Sequence, residues 1–147
     1  MTSCDTNILY AALDNRSAVH GRARAFLQSM RNASDFAICE LVLIELYGLL
    51  RNPVVTRKPC SAAEAAGLVA RFRAHPHWQV LDYPGPQAGL MQELWKWAAD
   101  SAFPYRRIYD LRLALTLRHS GVRAFATRNV KDFQGAGFET VWDPLAS

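Results

Sequence analysis

Among the 13 acidic residues of this sequence, four stand at or near places where predicted strands lead into helices or loops. Asp5 follows the short opening segment, Glu45 lies inside an apolar run and Asp110 begins a leucine-rich run. Asp132 follows a further apolar segment, three residues beyond Asn129. Carboxylates that converge on one crevice repel one another, and a divalent cation is the usual remedy. Ligands that are all oxygen favour Mg²⁺ or Mn²⁺ over zinc, and such an ion can activate water and stabilise charge that develops on a phosphodiester.

Each of these acids also has a structural explanation. Asp5 could cap the helix that follows it, and Asp110 could stand at a helix N-terminus, where the helix dipole stabilises an acid. Glu45 lies in the run 40–50, which is apolar nearly all round and is therefore predicted to be buried. A charge there would need an arginine partner, a proton or a cation. One acid alone indicates little, whereas convergence of several on one crevice would indicate a metal site.

The rest of the chain predicts elements that alternate between strand and helix. Strands are predicted to end at Cys4 and to span 36–39, 78–81, 122–126 and 140–142, and helices to follow Asp5 and to span 18–30, 40–50, 61–74, 87–100 and 108–119. The run 108–119 alternates leucines like a strand, but its length and residue types favour a helix. The alternation predicts an α/β fold with a mostly parallel sheet covered on both faces. Acids that follow such strands lie where α/β proteins open their binding crevice.

Two tryptophans stand in the helix predicted at 87–100. The spacing of Leu90, Leu94 and Trp97 predicts that these three line its inner face. Trp95 is also expected to pack in the core rather than to contact a partner.

The composition favours one folded domain over residues 1–147. Half of the residues are hydrophobic and 20% are charged, and the net charge of +4 comes mostly from arginines, whose planar group pairs well with phosphate. Three cysteines without paired spacing suggest neither a disulfide framework nor a zinc site. No apolar run reaches the ~18 residues of a membrane span, so a cytoplasmic location is expected. Four arginines flank the acids in sequence and are candidates for contacts with the phosphates of a nucleic acid: Arg106, Arg107, Arg112 and Arg128.

Four segments, taken in order, carry a resemblance to a known family. They are Asp5-Thr6-Asn7, residues 38–46 (ICELVLIEL), Ile108-Tyr109-Asp110-Leu111 and residues 127–133 (TRNVKDF). In this order and spacing they resemble the PIN-domain nucleases and, more narrowly, the VapC-type toxins of bacterial toxin–antitoxin pairs. The resemblance spans essentially the whole chain.

The resemblance implies an endoribonuclease that depends on Mg²⁺ or Mn²⁺. It further implies a PIN-like three-layer sandwich with a central parallel sheet of five strands, frequent dimerisation and inhibition by a small cognate antitoxin. By matching positions, Asp5, Glu45 and Asp110 would bind the metal, and Thr6 and Thr127 would be polar groups behind them.

Asn129 leaves other interpretations of the sequence open. Asn129 stands where the family usually has a fourth acid, and either Asn129 or Asp132 could complete the site. The asparagine also keeps open a non-catalytic RNA- or protein-binding module on the same scaffold. A receiver-like phosphoacceptor is a third hypothesis, although Lys131 lies five residues beyond Ala126, too far along for the lysine that such proteins need.

Overall fold

A central sheet of five parallel strands organises the computed structural model, which describes residues 1–85 and 89–147. The strands are β1 (Thr2–Cys4), β2 (Phe36–Cys39), β3 (Gln79–Leu81), β4 (Ala124–Ala126) and β5 (Thr140–Trp142). Their order across the sheet is β3-β2-β1-β4-β5, and Thr2 of β1 lies opposite Phe36 on one side and Ala124 on the other. The predicted α/β fold with a parallel sheet is confirmed.

Helices connect these strands as the alternation predicts. Those in the described part of the chain are α1 (Thr6–Leu13), α2 (His20–Ser29), α3 (Glu40–Arg51), α4 (Ala62–Arg73), α5 (Leu90–Ala98), α6 (Ile108–His119) and α7 (Val130–Phe133), and a 3-10 turn (Tyr105–Arg107) leads into α6. The predicted helix start at Gln87 lies outside the described residues. None of the described helices is both long and apolar enough to cross a membrane.

The strand order creates a switch point between β1 and β4. The chain builds the sheet outward from β1 through β2 to β3, and then returns to the other side of β1 with β4 and β5. Loops that leave β1 and β4 therefore diverge, and in α/β folds the crevice between such loops is where ligands bind. Asp5 follows β1 and Thr127 follows β4, so both lie at this crevice.

The alternating leucines of α6 are explained by two different packing partners. Leu113 and Leu117 join the main core under the sheet, together with large buried residues such as Phe36 and Phe125. Leu111 and Leu115 join a smaller cluster against α5. Each pair is spaced i, i+4, which is one helix face, so a strand-like pattern here encodes a helix buried on two sides.

The prediction that α3 is buried all round is wrong. Val42 and Leu46 pack in the core, but Ile44 is 66% exposed and Glu45 is also exposed. The described elements leave Ile44 uncovered on the outer face of this helix. Glu45 therefore needs no buried arginine partner to keep its charge.

The expected burial of the two tryptophans of α5 is also wrong. Trp95 is 60% exposed and Trp97 is 38% exposed, whereas Leu90 and Leu94 are buried. This short helix contacts α6 through one i, i+4 pair, and that contact leaves the two rings at the surface.

Candidate active site

Asp5 joins the end of the central strand to the first helix. Its backbone N–H donates to the carbonyl of Ala126 at 2.9 Å, which continues the pairing of β1 with β4. Its side chain caps α1, because Oδ1 accepts from the backbone N–H of Thr6 at 2.8 Å. The capping explanation is therefore correct, but it accounts for only one of the two carboxylate oxygens.

The second oxygen of Asp5 is held by side chains from two elements. Oδ2 accepts from the Thr127 hydroxyl at 2.7 Å and from the Asn7 amide at 3.1 Å. Burial raises the pKa of Asp5 above its ordinary value, and the negative charge of Glu45 raises it further. The hydrogen bonds from Thr127, Thr6 and Asn7 lower the pKa, but less than burial raises it. These hydrogen bonds favour an ionised Asp5, but they do not offset its burial, so the pKa of Asp5 stays above its ordinary value.

Glu45 is brought to Asp5 by Thr6. The Thr6 hydroxyl is buried between α1 and α3, 3.1 Å from Glu45 Oε2 and 3.3 Å from the Val42 carbonyl. It has one proton to donate, so it bonds one of these acceptors at a time. Because Thr6 follows Asp5 directly, this contact fixes Glu45 beside the first acid while its side chain stays accessible to solvent.

Asp110 lies half-buried in the first turn of α6. Burial raises its pKa, and the charges of Asp5 and Asp132 raise it further, whereas Arg107 lowers it. Asp132 belongs to the first turn of α7, and the Arg107 guanidinium donates a hydrogen bond to its backbone carbonyl. Asp110 therefore lies within electrostatic reach of two other acids that come from different parts of the chain.

The loop after β4 contributes through Thr127 more than through its neighbours. The Thr127 hydroxyl accepts from the backbone N–H of Asn129 at 3.0 Å while it donates to Asp5. The Asn129 residue itself is exposed. Asn7 belongs to the Asp5-Thr6-Asn7 motif, but the sequence predicts no role for it. In the structure its amide N–H donates to Asp5, and its Oδ1 accepts from the backbone N–H of Arg128 at 3.3 Å. Its place in the first helical turn after Asp5 was the signal for that role.

The four predicted arginines occupy different environments. Arg106 and Arg128 are exposed, and Arg112 is exposed where it lines a crevice of about 510 Å³ together with Glu45 and Asp110. Arg107 is half-buried, and its Nε is buried with no partner among the described residues. Arg107 therefore holds the α7 backbone, whereas the other three present their charge to solvent.

The donor chemistry of the crevice fits a hard divalent cation. All of its acids offer carboxylate oxygens, and none of the ion pairs in the described chain involves Asp5, Glu45 or Asp110. Among residues 1–85 and 89–147, no three His, Cys, Asp or Glu side chains already stand together as a metal-ligand group. Coordination by three acids would thus require side chains to rotate, and for Glu45 this means giving up the contact with the Thr6 hydroxyl.

Comparisons with known proteins agree with this architecture. The PIN-domain family model matches residues 3–138. The chain is 47% identical over 147 residues to Ribonuclease VapC24 of two Mycobacterium tuberculosis strains, with 100% of this chain and 99% of the relative aligned. Nucleases of this family typically depend on a metal ion.

Solved structures share the fold at low sequence identity. The sarcin-ricin-loop-cleaving toxin VapC20 of Mycobacterium tuberculosis superposes with a TM-score of 0.64 at 20% identity, covering 94% of this chain and 96% of that one. FitAcB from Neisseria gonorrhoeae gives 0.66 at 20% identity with 100% of both chains covered. VapBC2 from Rickettsia felis, bound to a promoter DNA fragment, gives 0.59 at 16% identity, covering 97% of this chain and 96% of that one.

Proposed function

Because this chain belongs to the PIN-domain family and is a VapC-type ribonuclease toxin, we propose that it cuts RNA with a Mg²⁺ or Mn²⁺ ion held by Asp5, Glu45 and Asp110. The resemblance in the sequence is confirmed by the full-length relative. The observation that carries the metal assignment is electrostatic: the charge of Glu45 raises the pKa of Asp5, and the charge of Asp5 raises that of Asp110. Acids that destabilise one another in this way gain most from a shared cation.

Each side chain has a separate task in this proposal. A bound divalent ion would supply activation of water and stabilisation of charge on the phosphodiester. Asp5 and Asp110 hold that ion from two elements, and Thr6 and Thr127 fix the acids through hydroxyl bonds. Glu45 is either a third ligand or the group that accepts a proton from the attacking water, since its exposed carboxylate can reach solvent.

We propose Asp132 rather than Asn129 as the fourth member of the site. The charge of Asp132 contributes to the raised pKa of Asp110. Asn129 bonds Thr127 through its backbone N–H, which any residue could supply. The carboxylate of Asp132 would attract a cation with a full negative charge, whereas the amide oxygen of Asn129 would attract it only through a dipole.

The same proposal extends to partners. Arg106, Arg112 and Arg128 would contact RNA phosphates, because exposed guanidinium groups around an acidic crevice attract the polyanion that the acids alone would repel. A small cognate antitoxin would block this crevice. A homodimer and a cytoplasmic location complete the proposal, and light scattering of the purified chain tests the first of these.

The deciding experiment pairs metal removal with one amide substitution. The purified chain is expected to cut RNA in Mg²⁺ or Mn²⁺, to stop in EDTA, and to recover when the metal is restored. Asp110→Asn is expected to remove cleavage while the circular dichroism spectrum stays unchanged. Cleavage that persists in EDTA and in Asp110→Asn would overturn the metal site, and RNA binding without cleavage in any metal would favour the non-catalytic module.

A further inference from the structure

Two tyrosines and an arginine form an exposed stripe beside the acids. Tyr105 and Tyr109 are each 77% exposed, and Arg112 is exposed as well. Their spacing is i, i+4 and i+7, and the 3-10 turn Tyr105–Arg107 runs directly into α6. Tyr109 and Arg112 are spaced i, i+3 and therefore lie on one face of α6, and Tyr105 stands in the turn that leads into this helix.

The fold does not need these rings. The buried side of α6 is filled by its leucines, which pack against the core and against α5. The aromatic pairs found in the described part of the chain join other residues, such as Phe36 with Trp78 and Phe125 with Phe133, and involve neither tyrosine. Large rings left in water next to a candidate active site indicate a surface that is covered when a ligand binds.

The surroundings of Tyr109 define the chemistry of that ligand. Tyr109 lines the same crevice as Glu45, Asp110 and Arg112. Its aromatic face is apolar and uncharged, whereas the arginine beside it attracts phosphate. Tyr105 lies next to a further cation, with the Arg106 guanidinium 5.7 Å from its ring centre. Rings interleaved with arginines match a strand of alternating bases and phosphates.

We propose that Tyr109, assisted by Tyr105, stacks on unpaired bases next to the phosphodiester that is cut. This inference rests on the proposed function, because it places the bases relative to the acids of that site. Bases in a duplex have both faces covered by their neighbours, so a stacking surface engages only bases that are splayed out. The stripe therefore selects single-stranded or looped RNA over duplex RNA.

The test separates the ring from its hydroxyl. Tyr109→Phe keeps an aromatic face, whereas Tyr109→Leu keeps apolar surface without it. Trp95→Leu removes another exposed ring, which does not line the crevice. Each chain is assayed with an unstructured RNA and with the same RNA annealed to its complement, for affinity in EDTA and for KM and kcat in Mn²⁺. Thiouridine-labelled RNA, photo-crosslinked and mapped by mass spectrometry, locates the contact.

Stacking predicts a specific pattern of losses. Tyr109→Leu is expected to weaken affinity for the single strand and raise KM by about 5- to 150-fold, the range for loss of one base–aromatic stack. Tyr109→Phe keeps the aromatic face and is expected to lose much less than Tyr109→Leu, whereas Trp95→Leu is expected to stay within about twofold of the parent chain. Duplex binding is expected to be weaker and insensitive to all three changes, and the crosslink is expected at Tyr109 or Tyr105.

The outcomes separate this proposal from the function on which it rests. If the parent chain cuts RNA and Tyr109→Leu binds and cuts it equally well, the stacking proposal is overturned and the nuclease stands. If Tyr109→Leu loses affinity and crosslinking but no variant cuts in any metal, stacking stands and the nuclease falls. If Tyr109→Leu loses only capture of the cognate antitoxin, the stripe is a protein-binding surface and the proposal is overturned.

Discussion

Two acidic sites in this chain differ in how their charge is balanced. Glu93 of α5 contacts Arg118 through Oε1 and His119 through Oε2, each at 3.0 Å. The hydrogen bond from His119 and the hydrogen bond and charge of Arg118 lower the pKa of Glu93. Asp5 and Asp110 instead have raised pKa values, because burial and neighbouring carboxylates both oppose their ionisation.

The contrast separates an acid that is paired with Arg118 from two acids that take part in none of the ion pairs found in residues 1–85 and 89–147. At Glu93 the chain supplies Arg118 and His119 as partners, and these contacts join α5 to α6. At Asp5 the described part of the chain supplies only hydrogen-bond donors, and these do not offset the cost of burying its charge. Four predictions test this distinction.

The largest expected effect comes from neutralising one acid in each site. Asp5→Asn is expected to lower the rate of RNA cleavage by at least about a hundredfold, because the central metal ligand loses its charge. Its free energy of unfolding in EDTA is expected to stay equal or to rise, since a buried, unbalanced charge has been removed. Cleavage rates and urea unfolding midpoints measure both effects.

Glu93→Gln is the matched control and is expected to do the opposite. It should lower the free energy of unfolding by about 1 kcal/mol, because Arg118 and His119 lose their charged partner, and leave cleavage within about twofold of the parent. The distinction between the two sites would be wrong if Glu93→Gln abolished cleavage. It would also be wrong if Asp5→Asn prevented folding.

A smaller effect is expected when the fourth member of the acidic site is changed. Asp132→Asn is expected to lower cleavage by about tenfold and to bring the pKa of Asp110 closer to its ordinary value, since one repelling charge is gone. Asn129→Ala keeps the backbone N–H that bonds Thr127 and is expected to lower cleavage less. A larger loss in Asn129→Ala would identify the asparagine as the fourth ligand instead.

Local pattern predicts the order of the five strands and of helices α1 to α6, but not α7 (Val130–Phe133), where the sequence predicts no helix. The strand Phe36–Cys39 and the helix Ile108–His119 were predicted with the bounds that the structure gives them, because apolar runs and helix-forming residues act over short distances. Exposure was not predictable in the same way. Ile44 and Trp95 are apolar residues on the outer faces of their helices. Their residue types are the same as those of buried side chains, so the sequence pattern does not show which of them the core leaves exposed.

The sequence predicts which residues form the candidate site, but not the hydrogen bonds that connect them. The ordered motifs selected Asp5, Glu45 and Asp110, and the fold brings their charges together. The sequence does not predict that Asn7 donates a hydrogen bond to Asp5. It also does not predict that the Nε of Arg107 is buried. Both depend on side-chain rotamers that are set by contacts between distant elements, and no local pattern encodes those.

A third prediction concerns the hydroxyl that bonds Asp5. Thr127→Val removes the donor to Asp5 Oδ2 and leaves the Asn129 N–H without its acceptor. The pKa of Asp5 is expected to rise further, so the acidic limb of the pH–rate profile should move to higher pH. The unfolding free energy is expected to fall by about 1–2 kcal/mol. Thr127→Ser keeps the hydroxyl, and its pH–rate profile is expected to match that of the parent chain. If Thr127 had a purely steric role, the pH–rate profile of Thr127→Val would not move relative to the parent.

The smallest effect is expected in the pH dependence of stability without metal. The unfolded chain ionises Asp5 and Asp110 at their ordinary pKa, whereas the folded chain holds their protons to higher pH. Their contribution to the free energy of unfolding is therefore fully present below the ordinary aspartate range and is lost as pH rises through the raised values. Glu93 acts with the opposite sign: its contribution is present above the ordinary glutamate pKa and is lost as pH falls through its lowered value.

Urea unfolding in EDTA at a series of pH values separates these signs by variant. The stability of Asp5→Asn relative to the parent is expected to increase with pH, and that of Glu93→Gln to decrease. Mn²⁺ binds the ionised acids, so the stabilisation that it gives the parent chain is expected to grow with pH and to be absent in Asp5→Asn. Equal stabilisation of both chains by Mn²⁺ would mean that the ion binds elsewhere, because only a cation at Asp5 competes with the protons that this carboxylate holds.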